Sequence, residues 1–548
     1  MSEHRMSEPA FSDHGDPDFD VVIAGGGIVG IYQLYRALEA GFTATLIEAG
    51  DGVGGTWYWN RYPDARFDSE SYTYAYLFSE ELFEEWEWQE HFAGQPEIER
   101  YLNHVVDRFD LRRHIRLGTR VTSAEFDETT ATWNVTAGDA TIRSRVLIAA
   151  TGVLSLPFYP DVPGRERFGG ESHHTGLWPQ TPVDFVGKRV AVIGTGSSGV
   201  QLIAAIAEEV ASLTVYQRTA NWCTPLNNRA ITPEEQAQLR ADFESIRHTL
   251  NTSATGFLHV PCDRSSADDS KQQRWAFYEE MWNSPGFTKM TSNYPDLLTD
   301  KDVNAEWCEF LAGKIRGIVE DPATAAKLIP DHLYGQRRPP FGTNYFETYN
   351  NPKVSLVDLK ATPITQVTER GIETAEGEQE FDIIVWATGF DFGTGALNRM
   401  GIRGRDGLAL EEYWADGPST YLGVACRGFP NFFFPGGPHG STGNNPRYAG
   451  DQVDFVMDVL VHMRDAGDDL VEVEAEAEAY WSGMVNTYAS TASFSEASYF
   501  FGANIPGKPI RYLLNPGGRP KLHSAIARAI DGGFDSFAFT RAADERID

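Results

Sequence analysis

The stretch Asp18–Gly41, DFDVVIAGGGIVGIYQLYRALEAG, combines three local patterns in one short segment. Its apolar run Val21–Ala24 predicts a buried strand. The glycines that follow in the G-x-G-x-x-G arrangement are Gly25, Gly27 and Gly30. Apolar residues then recur at helical spacing until a final glycine, where we expect the helix to stop. This order is typical of a dinucleotide-binding unit, because the glycines let the backbone approach a pyrophosphate at the helix N-terminus.

The strand after this helix supports the same interpretation. It reads TATLIEAG and ends in Glu48, which lies 21 residues beyond Gly27. A carboxylate at this spacing accepts hydrogen bonds from ribose hydroxyls. The glycine motif alone is also compatible with a plain glycine turn, so Glu48 is the residue that favours a dinucleotide with a free ribose.

A second copy of the pattern lies in GKRVAVIGTGSSGVQLIAAIA, residues 187–207, with Gly194, Gly196 and Gly199 in the same places. Its next strand, LTVYQRT, carries no acid, and Arg218 stands 22 residues beyond Gly196. A guanidinium binds a 2′-phosphate through paired hydrogen bonds, whereas a carboxylate repels it. The second site is therefore predicted to prefer NADPH to NADH. The alternative for Arg218 is a solvated surface arginine.

Composition excludes several classes of function. The chain has 548 residues with 41% hydrophobic and 12% aromatic content, which predicts roughly two to four well-filled domains. The net charge of −32 argues against nucleic acid and against an anionic membrane surface as partners. The polar segment 1–18 is predicted to be disordered, and no long apolar run or signal peptide is evident, so we expect no membrane association.

Two dinucleotide units in one chain predict a flavin and a nicotinamide that exchange hydride. A disulfide reductase has the same layout but needs a redox cysteine pair. The cysteines are scattered without a C-x-x-C pair, at Cys223, Cys262, Cys308 and Cys426. This distribution excludes the reductase and suits a reducing, cytoplasmic location.

Two longer motifs carry a resemblance to a known family. The segment GGTWYWNRYPDARFD has its motif positions at Gly55, Trp57, Tyr62, Pro63 and Asp68. The segment FGGESHHTGLWP matches F-x-G-x-x-x-H-x-x-x-W-[P/D] at Phe168, Gly170, His174, Trp178 and Pro179. With VWATGFD, GPSTYLGV and GANIPGKP further along, the chain resembles the Baeyer–Villiger monooxygenases over nearly its whole length.

The resemblance implies an α/β fold with two Rossmann-like domains, one for FAD and one for NADP, and a helical insertion. The implied FAD-binding domain covers residues 19–151 and 388–548, including a C-terminal active-site loop, and the NADP-binding domain covers 152–229 and 333–387. The insertion is expected at 230–332. Its first helix, in ITPEEQAQLRADFESIRHTL, should begin with a capping box of Thr232 and Glu235 and continue as a single helix to Leu250.

The resemblance, together with the glycine motifs, also implies the cofactor-binding residues. Those for FAD are Gly25, Gly27, Gly30, Glu48, Thr56, Trp57, Asp68, Tyr74 and Val121. Those for NADP are Thr195, Gly196, Ser197, Ser198, Gly199, Gln201, Arg218, Thr219, Arg337, Arg338 and Tyr499. No metal site is expected, because His173 and His174 are adjacent and do not form the i, i+4 pair of a helical metal site.

The same resemblance implies that Arg338 is the catalytic arginine and that Asp68 holds it. From the residues alone, Arg338 could instead be part of a solvated arginine pair, and Asp68 could instead be a helix cap. His174 is implied to couple rotation of the NADP domain to the flavin site, with a plain buried histidine as the alternative, and His173 is expected to be structural.

Two positions depart from the family pattern. Asp64 stands where the longer motif allows Gly or Met, and it adds a charge near a flavin loop. Tyr499 stands where the family has a tryptophan that contacts NADP. Tyrosine can still stack and donate a hydrogen bond, but its ring is smaller than that of tryptophan, so we expect the departure to bear on closure of the site.

The activity implied is NADPH-dependent insertion of one atom of O₂ beside a ketone carbonyl, through a C4a-peroxyflavin and a Criegee intermediate, to give an ester or lactone. The expected partners are a small ketone and O₂, and the expected state is a monomer or weak homo-oligomer. An N- or S-oxygenating flavin monooxygenase and a redox-inert dinucleotide sensor remain alternatives. The segment Gly437–Gln452 is expected to line the pocket and, from its Gly and Asn content, to be mobile.

Overall fold

The computed structural model describes residues 17–440, 442–491, 498–515 and 517–541. The predicted disordered segment 1–18 therefore lies almost wholly outside the described residues. Two sheets, each covered by helices, organise the rest, and this confirms the predicted α/β class.

The strands, in chain order, are β1 (Phe19–Ala24), β2 (Ala44–Ile47), β3 (Ile115–Arg116), β4 (Val121–Asp127), β5 (Thr132–Ala137), β6 (Ala140–Ala149), β7 (Glu171–His174), β8 (Arg189–Ile193), β9 (Ser212–Gln217), β10 (Thr224–Pro225), β11 (Phe341–Gly342), β12 (Val354–Asp358), β13 (Ile364–Val367), β14 (Gly371–Thr374), β15 (Gly377–Glu380), β16 (Ile383–Trp386), β17 (Ile402–Arg403), β18 (Phe432–Phe433), β19 (Leu470–Val473) and β20 (Phe537–Thr540). The α-helices are α1 (Ile28–Glu39), α2 (Thr56–Trp59), α3 (Ser71–Tyr74), α4 (Glu80–Glu85), α5 (Gln95–Arg108), α6 (Ser197–Ile206), α7 (Pro233–Ala241), α8 (Phe243–Thr252), α9 (Lys271–Asn283), α10 (Thr288–Thr291), α11 (Lys301–Ile318), α12 (Pro322–Leu328), α13 (Gly395–Asn398), α14 (Leu410–Tyr413), α15 (Asn445–Ala466), α16 (Ala475–Thr491) and α17 (Gly518–Asp531).

The first sheet is centred on β1, which pairs in parallel with β2 on one side and with β6 on the other. Successive side chains of a strand point to opposite faces. Val21 and Ile23 accordingly join the core beneath α1, whereas Val22 and Ala24 join the core on the other face. Burial on both faces explains why this strand reads as a continuous apolar run.

The second sheet contains five parallel strands in the order β12-β9-β8-β16-β7. The second glycine turn joins β8 to α6 at its centre, in the same way as the first turn joins β1 to α1. Each turn therefore delivers a helix N-terminus to the carboxyl end of a central parallel strand, where ligands bind in folds of this kind.

The two sheets are interleaved in sequence. The first takes strands from residues 19–149 and adds β17 and β18 from residues 402–433. The second takes strands from residues 171–217 and 354–386. Two segments of the chain thus pass from one sheet to the other, one after β6 and one after β16. In sequence, the helices of residues 230–332 stand between the two groups of strands that form the second sheet.

Different helices of residues 230–332 pack against different sheets. The capping box of Thr232 and Glu235 is confirmed. The predicted single helix after it is wrong, because Asp242 leaves helical geometry and divides the segment into α7 and α8. Phe243 of α8 packs with Phe83 beside the first sheet, whereas Trp307 of α11 belongs to the core of the second.

The prediction of a mobile segment at Gly437–Gln452 is wrong for its second half. Asn445 begins α15, and Pro446 occupies its first turn, where the missing N–H costs nothing. One face of α15 is buried against α1, for example at Val453 and Val456. Tertiary packing therefore overrides the local Gly and Asn content.

The tight contact between the first glycine turn and α1 can be tested at Gly30. A Cβ at this position would lie 1.9 Å from the carbonyl oxygen of Gly25, so the backbone must shift. We expect Gly30→Ala to cost about 1–3 kcal/mol of stability, as overpacking does. The measurement is the thermal unfolding midpoint. Gly313→Ala in α11, where a Cβ meets nothing within 4 Å, is the matched control and should not lower it.

Candidate active site

A cavity of about 560 Å³ lies between the glycine turn of the second sheet and residues of the first sheet's helices. Many of the predicted site residues line it: Thr56, Trp57, Asp68, Tyr74, Thr195, Gly196, Ser197, Ser198, Gln201, Arg218, Thr219, Arg337, Arg338 and Tyr499. The remaining predicted cofactor residues, Gly25, Gly27, Gly30, Glu48, Val121 and Gly199, do not line this cavity. The structure therefore brings together most residues of the second unit and part of those of the first.

Arg338 and Asp68 are in direct contact in this cavity. The Nη2 atom of Arg338 donates to both carboxylate oxygens of Asp68, at 2.7 and 2.6 Å, and its Nη1 atom donates to Ser197 Oγ at 2.9 Å. The side chain of Arg338 is 30% exposed, and that of Asp68 is 13% exposed. Arg338 is thus oriented by partners from both halves of the molecule, and it is not a solvated surface arginine.

The helix-cap alternative for Asp68 is wrong. The residue at the cap position of α3 is Glu70, and its side chain makes no capping hydrogen bond. Asp68 instead turns both oxygens toward Arg338.

The electrostatics of the pair keep Arg338 charged. Burial by itself lowers the pKa of the Arg338 guanidinium, but the carboxylate of Asp68 more than offsets this, and the pKa stays above its ordinary value. Tyr499 lies in the same cavity, where burial raises the pKa of its phenol to about 12. The site therefore offers a permanent cation beside a neutral phenol.

The second glycine turn presents an open helix N-terminus. Gly196 caps α6 without any side-chain hydrogen bond, no acid stands in the first turn, and a Cβ on Gly196 would meet nothing within 4 Å. Arg218 and Arg337 both line the cavity, and the pKa of Arg337 is lowered by burial and by the charge of Arg218. Two guanidiniums that repel each other beside an open helix N-terminus fit a phosphate-bearing dinucleotide.

The first glycine turn offers a matching site next to Glu48. Glu48 is buried at the end of β2, and its carboxylate accepts hydrogen bonds from the N–H groups of Gly26 and Gly50, at 2.6 and 2.7 Å. Gly27 caps α1 without a side-chain hydrogen bond, and no acid stands in the first turn. These features fit a second dinucleotide. Val121 begins β4 just after Thr119, whose N–H donates to the carbonyl of Glu48.

Gln201 connects the two units. Its Oε1 atom accepts from the Tyr62 hydroxyl at 2.7 Å, and its Nε2 atom donates to the carbonyl of Arg66 at 3.0 Å. The first turns of α6 are thereby fixed against the segment that carries Asp68.

The second predicted motif lies where the chain passes between the sheets. Gly176 N–H donates to His174 Nδ1 at 2.9 Å, so the ring proton sits on Nε2, which faces the carbonyl of Phe158 at 3.3 Å. Burial lowers the pKa of His174 to about 4, and the ring is neutral at pH 7. His174 is the last residue of β7, at the edge of the second sheet, and its ring bonds to the backbone of the segment that arrives from the first sheet.

The other motif residues pack around this crossing. Trp178 is buried, and its backbone N–H donates to the carbonyl of Trp59 in α2. Phe168 is partly buried beside the second sheet, and a Cβ on Gly170 would lie 2.5 Å from the carbonyl oxygen of Asp382. Pro179 follows Trp178 and is half-buried. His173 contacts Glu171 Oε2 at 3.1 Å, outside the cavity.

Asp64, the first departure from the family pattern, has a local explanation. Its φ is +62°, in the left-handed region that favours glycine, and Asp tolerates this region better than most residues. Its carboxylate accepts from Arg66 at 2.6 Å, so the extra charge is neutralised within two residues. The motif's glycine is thus replaced by a residue that can adopt the same backbone.

Several lining residues had no signal in the sequence. Phe257 and Phe287 come from the helical segment and form an aromatic wall. Asn221, which donates to the carbonyl of Arg338 at 2.8 Å, was not expected there, whereas Asn444 lines the cavity with Gly443 and Asn445 as expected for the segment Gly437–Gln452. Only the spacing of Asn221, three residues beyond Arg218, could have marked one of them.

Other kinds of site are not found in the described part of the chain. It holds no group of three or more His, Cys, Asp or Glu residues placed to bind a metal ion. None of the helices there is both long enough and apolar enough to cross a bilayer. The four cysteines are free thiols.

Two dinucleotide-binding units that meet at a cavity with a half-buried arginine define a pyridine nucleotide-dependent oxidoreductase. The family profile described as pyridine nucleotide-disulphide oxidoreductase matches residues 22–261. A 2-oxo-Delta(3)-4,5,5-trimethylcyclopentenylacetyl-CoA monooxygenase from Pseudomonas putida is 45% identical over 95% of this chain and 98% of its own.

Further relatives narrow the class. A Baeyer-Villiger monooxygenase from Pseudooceanicola batsensis is 38% identical over 96% of this chain and 97% of its own. A phenazine N-monooxygenase from Lysobacter antibioticus is 38% identical over 96% and 98%. The solved structure of OTEMO in complex with FAD and NADP superposes with a TM-score of 0.92 at 42% identity, covering 96% of this chain and 100% of that one. The chain belongs to the Baeyer–Villiger monooxygenase family, which confirms the resemblance seen in its motifs.

The backbone role of Asp64 gives a prediction with a built-in control. Asp64→Gly and Asp64→Ala both remove the contact with Arg66, and they differ only in the freedom of the backbone at positive φ. We expect Asp64→Ala to be less stable than Asp64→Gly by about 1 kcal/mol. The measurement is the difference between their thermal unfolding midpoints. Equal midpoints would contradict the backbone explanation.

Proposed function

We propose that this protein is an NADPH-dependent flavin monooxygenase that converts a ketone, O₂, NADPH and a proton into an ester or lactone, NADP⁺ and water. The contact of Arg338 with Asp68, inside a cavity shared by the two dinucleotide units, is the observation that carries this proposal. FAD supplies the activation of O₂ when it is bound. The family relationship supports the reaction class, and the residue roles below are part of the proposal.

Arg338 is assigned to stabilise negative charge that develops on the oxygen of the ketone carbonyl. A guanidinium suits this role because it keeps its proton in a dry pocket where a lysine could lose one. Asp68 maintains the charge and, together with Ser197, the orientation of the side chain. One preorganised donor of this kind contributes about 10²–10³ in rate.

The two dinucleotides are assigned to the two glycine turns. FAD occupies the first, with Glu48 at its ribose and Thr56, Trp57, Asp68, Tyr74 and Val121 around it. NADPH occupies the second, and Arg218, Thr219 and Arg337 hold its 2′-phosphate. Tyr499 takes the place of the family tryptophan and closes over NADP.

The domain division follows from this assignment. Residues 19–151 and 388–548 form the FAD-binding domain, residues 152–229 and 333–387 form the NADP-binding domain, and residues 230–332 form the insertion. We assign His174 and Trp178 to the coupling between domains, since both lie at the crossing. The proposal includes a cytoplasmic location and a monomer or weak homo-oligomer.

N-oxygenation is the second candidate function, and the phenazine N-monooxygenase among the relatives is the observation that favours it. Comparing a ketone panel with a panel of aromatic amines separates the two. Ester formation with NADPH consumption supports the first function, and N-oxide formation without any ester would replace it.

Coenzyme choice tests Arg218. We expect Arg218→Ala to raise the KM for NADPH by about tenfold or more, because a charged hydrogen bond to the phosphate is lost, and to leave the KM for NADH nearly unchanged. Steady-state kinetics with both coenzymes is the measurement. Arg370→Ala, whose side chain is 65% exposed, is the control. An equal loss with both coenzymes would make Arg218 structural.

Product formation tests Arg338. We expect Arg338→Ala to retain FAD and still consume NADPH, but to release hydrogen peroxide and form ester at least ~10²-fold more slowly. Gas chromatography of the ester and a peroxide assay are the measurements. Asp68→Ala should slow turnover while the unfolding midpoint moves little. Ester formation by Arg338→Ala at near-normal rate would remove Arg338 from the mechanism.

A further inference from the structure

The segment that carries Asp68 makes a second buried contact two residues later. Glu70 Oε1 lies 2.6 Å from His259 Nε2, and the two side chains are 8% and 7% exposed. Neither residue lines the cavity. Asp68 and Glu70 therefore hold partners from two distant parts of the chain, Arg338 and the loop after α8.

The imidazole of His259 is held on both sides. Its Nδ1 atom lies 2.6 Å from Thr291 Oγ1, and the Thr291 hydroxyl donates its proton to the carbonyl of Phe287 at 3.0 Å. The ring thus spans from Glu70 to α10, and its plane is fixed by two oxygen atoms.

A column of stacked groups runs from this imidazole to the cavity. The rings of His259 and Phe257 stack at 5.1 Å and 13°, and those of Phe257 and Phe287 at 5.4 Å and 26°. The guanidinium of Arg338 lies 5.2 Å from the ring of Phe287. Carboxylates two residues apart thus hold the two ends of the column, Glu70 at His259 and Asp68 at Arg338.

A role in stability alone explains this arrangement poorly. A buried pair of charged or strongly polar groups contributes little net stability, because desolvation offsets the attraction. Glu70 Oε2 has, in addition, no hydrogen-bond partner among the described residues, which is a cost. What the pair does provide is geometry, because Glu70 fixes the imidazole of His259 on which Phe257 stacks.

We propose that Glu70 and His259 are positioning residues that hold Phe257 and Phe287 as the aromatic wall next to Arg338, and that they thereby determine which side of the ketone carbonyl receives the oxygen. This inference rests on the proposed function, since it concerns the orientation of the ketone in the same cavity. Glu70 and His259 touch neither substrate nor cofactor, and they act through the two phenylalanines.

The reaction makes the position of this wall matter. One oxygen atom of O₂ enters the bond between the carbonyl carbon and one neighbouring carbon, and the other leaves as water with the hydride of NADPH and a proton. The carbonyl carbon of an unsymmetrical ketone has two different neighbours, so two ester isomers compete. Arg338 fixes the carbonyl oxygen, and the apolar wall then decides which neighbour is aligned for migration.

The test compares Glu70→Gln and His259→Gln with wild type on a 2-alkyl cyclic ketone. We expect the ratio of the two lactone isomers to change by about tenfold and the KM for the ketone to rise by a similar factor, the effect of a modest misfit in an apolar pocket. FAD content and the KM for NADPH should stay unchanged. His523→Gln is the matched control, since it removes a contact of 2.8 Å with Asp451 outside the cavity.

Two further measurements keep the proposal falsifiable. Thr291→Val removes the other contact of His259 with little change in size, and it should shift the isomer ratio even where Glu70→Gln fails to fold. Crystal structures of the variants should show Phe257 displaced from its 5.4 Å stack on Phe287. Folded variants with an unchanged isomer ratio and an intact stack would overturn the proposal. If wild type forms no ester, the proposed function fails, and the position of the rings alone still decides whether Glu70 and His259 hold the wall.

Discussion

The hydrogen bonds between Asp68 and Arg338 join residues that are 270 positions apart, and the geometry of the cavity depends on them. A guanidinium keeps its charge by itself, but it needs a partner to hold its orientation, and here the partner is a carboxylate from the other dinucleotide unit. Ser197 and Phe287 then contact the same arginine from two further elements. One ion pair therefore aligns four separate parts of the chain.

Much of the fold could be predicted because its signals are local. The two glycine turns, the apolar strands beside them and the contrast between Glu48 and Arg218 are all read within about 25 residues of sequence. The break between α7 and α8 and the helical start of α15 were missed, because tertiary packing decides both. The pairing of β17 with β4 also lacks a signal, since two residues are too short to show a period.

The residues of the site fall into the same two groups, those that a local motif marks and those that only tertiary structure brings there. Residues that act through backbone shape or charge, such as Gly196 and Arg338, stand in motifs and could be named from sequence. Phe257 and Phe287 could not, because they lie in the connections after α8 and before α10 and belong to no motif, and only the tertiary structure places them at the cavity. Glu70 and His259 were missed for a related reason, since their relation to the site runs through those rings.

The interleaving of the sheets also has a consequence for folding during synthesis on the ribosome. The second sheet has all its strands once residue 386 has emerged, whereas the first still lacks β17, β18 and the covering helix α15. The N-terminal sheet, although made first, is thus completed last. During that interval the apolar surface of its half-covered strands is exposed and prone to aggregation, and this surface is where we expect a chaperone to bind.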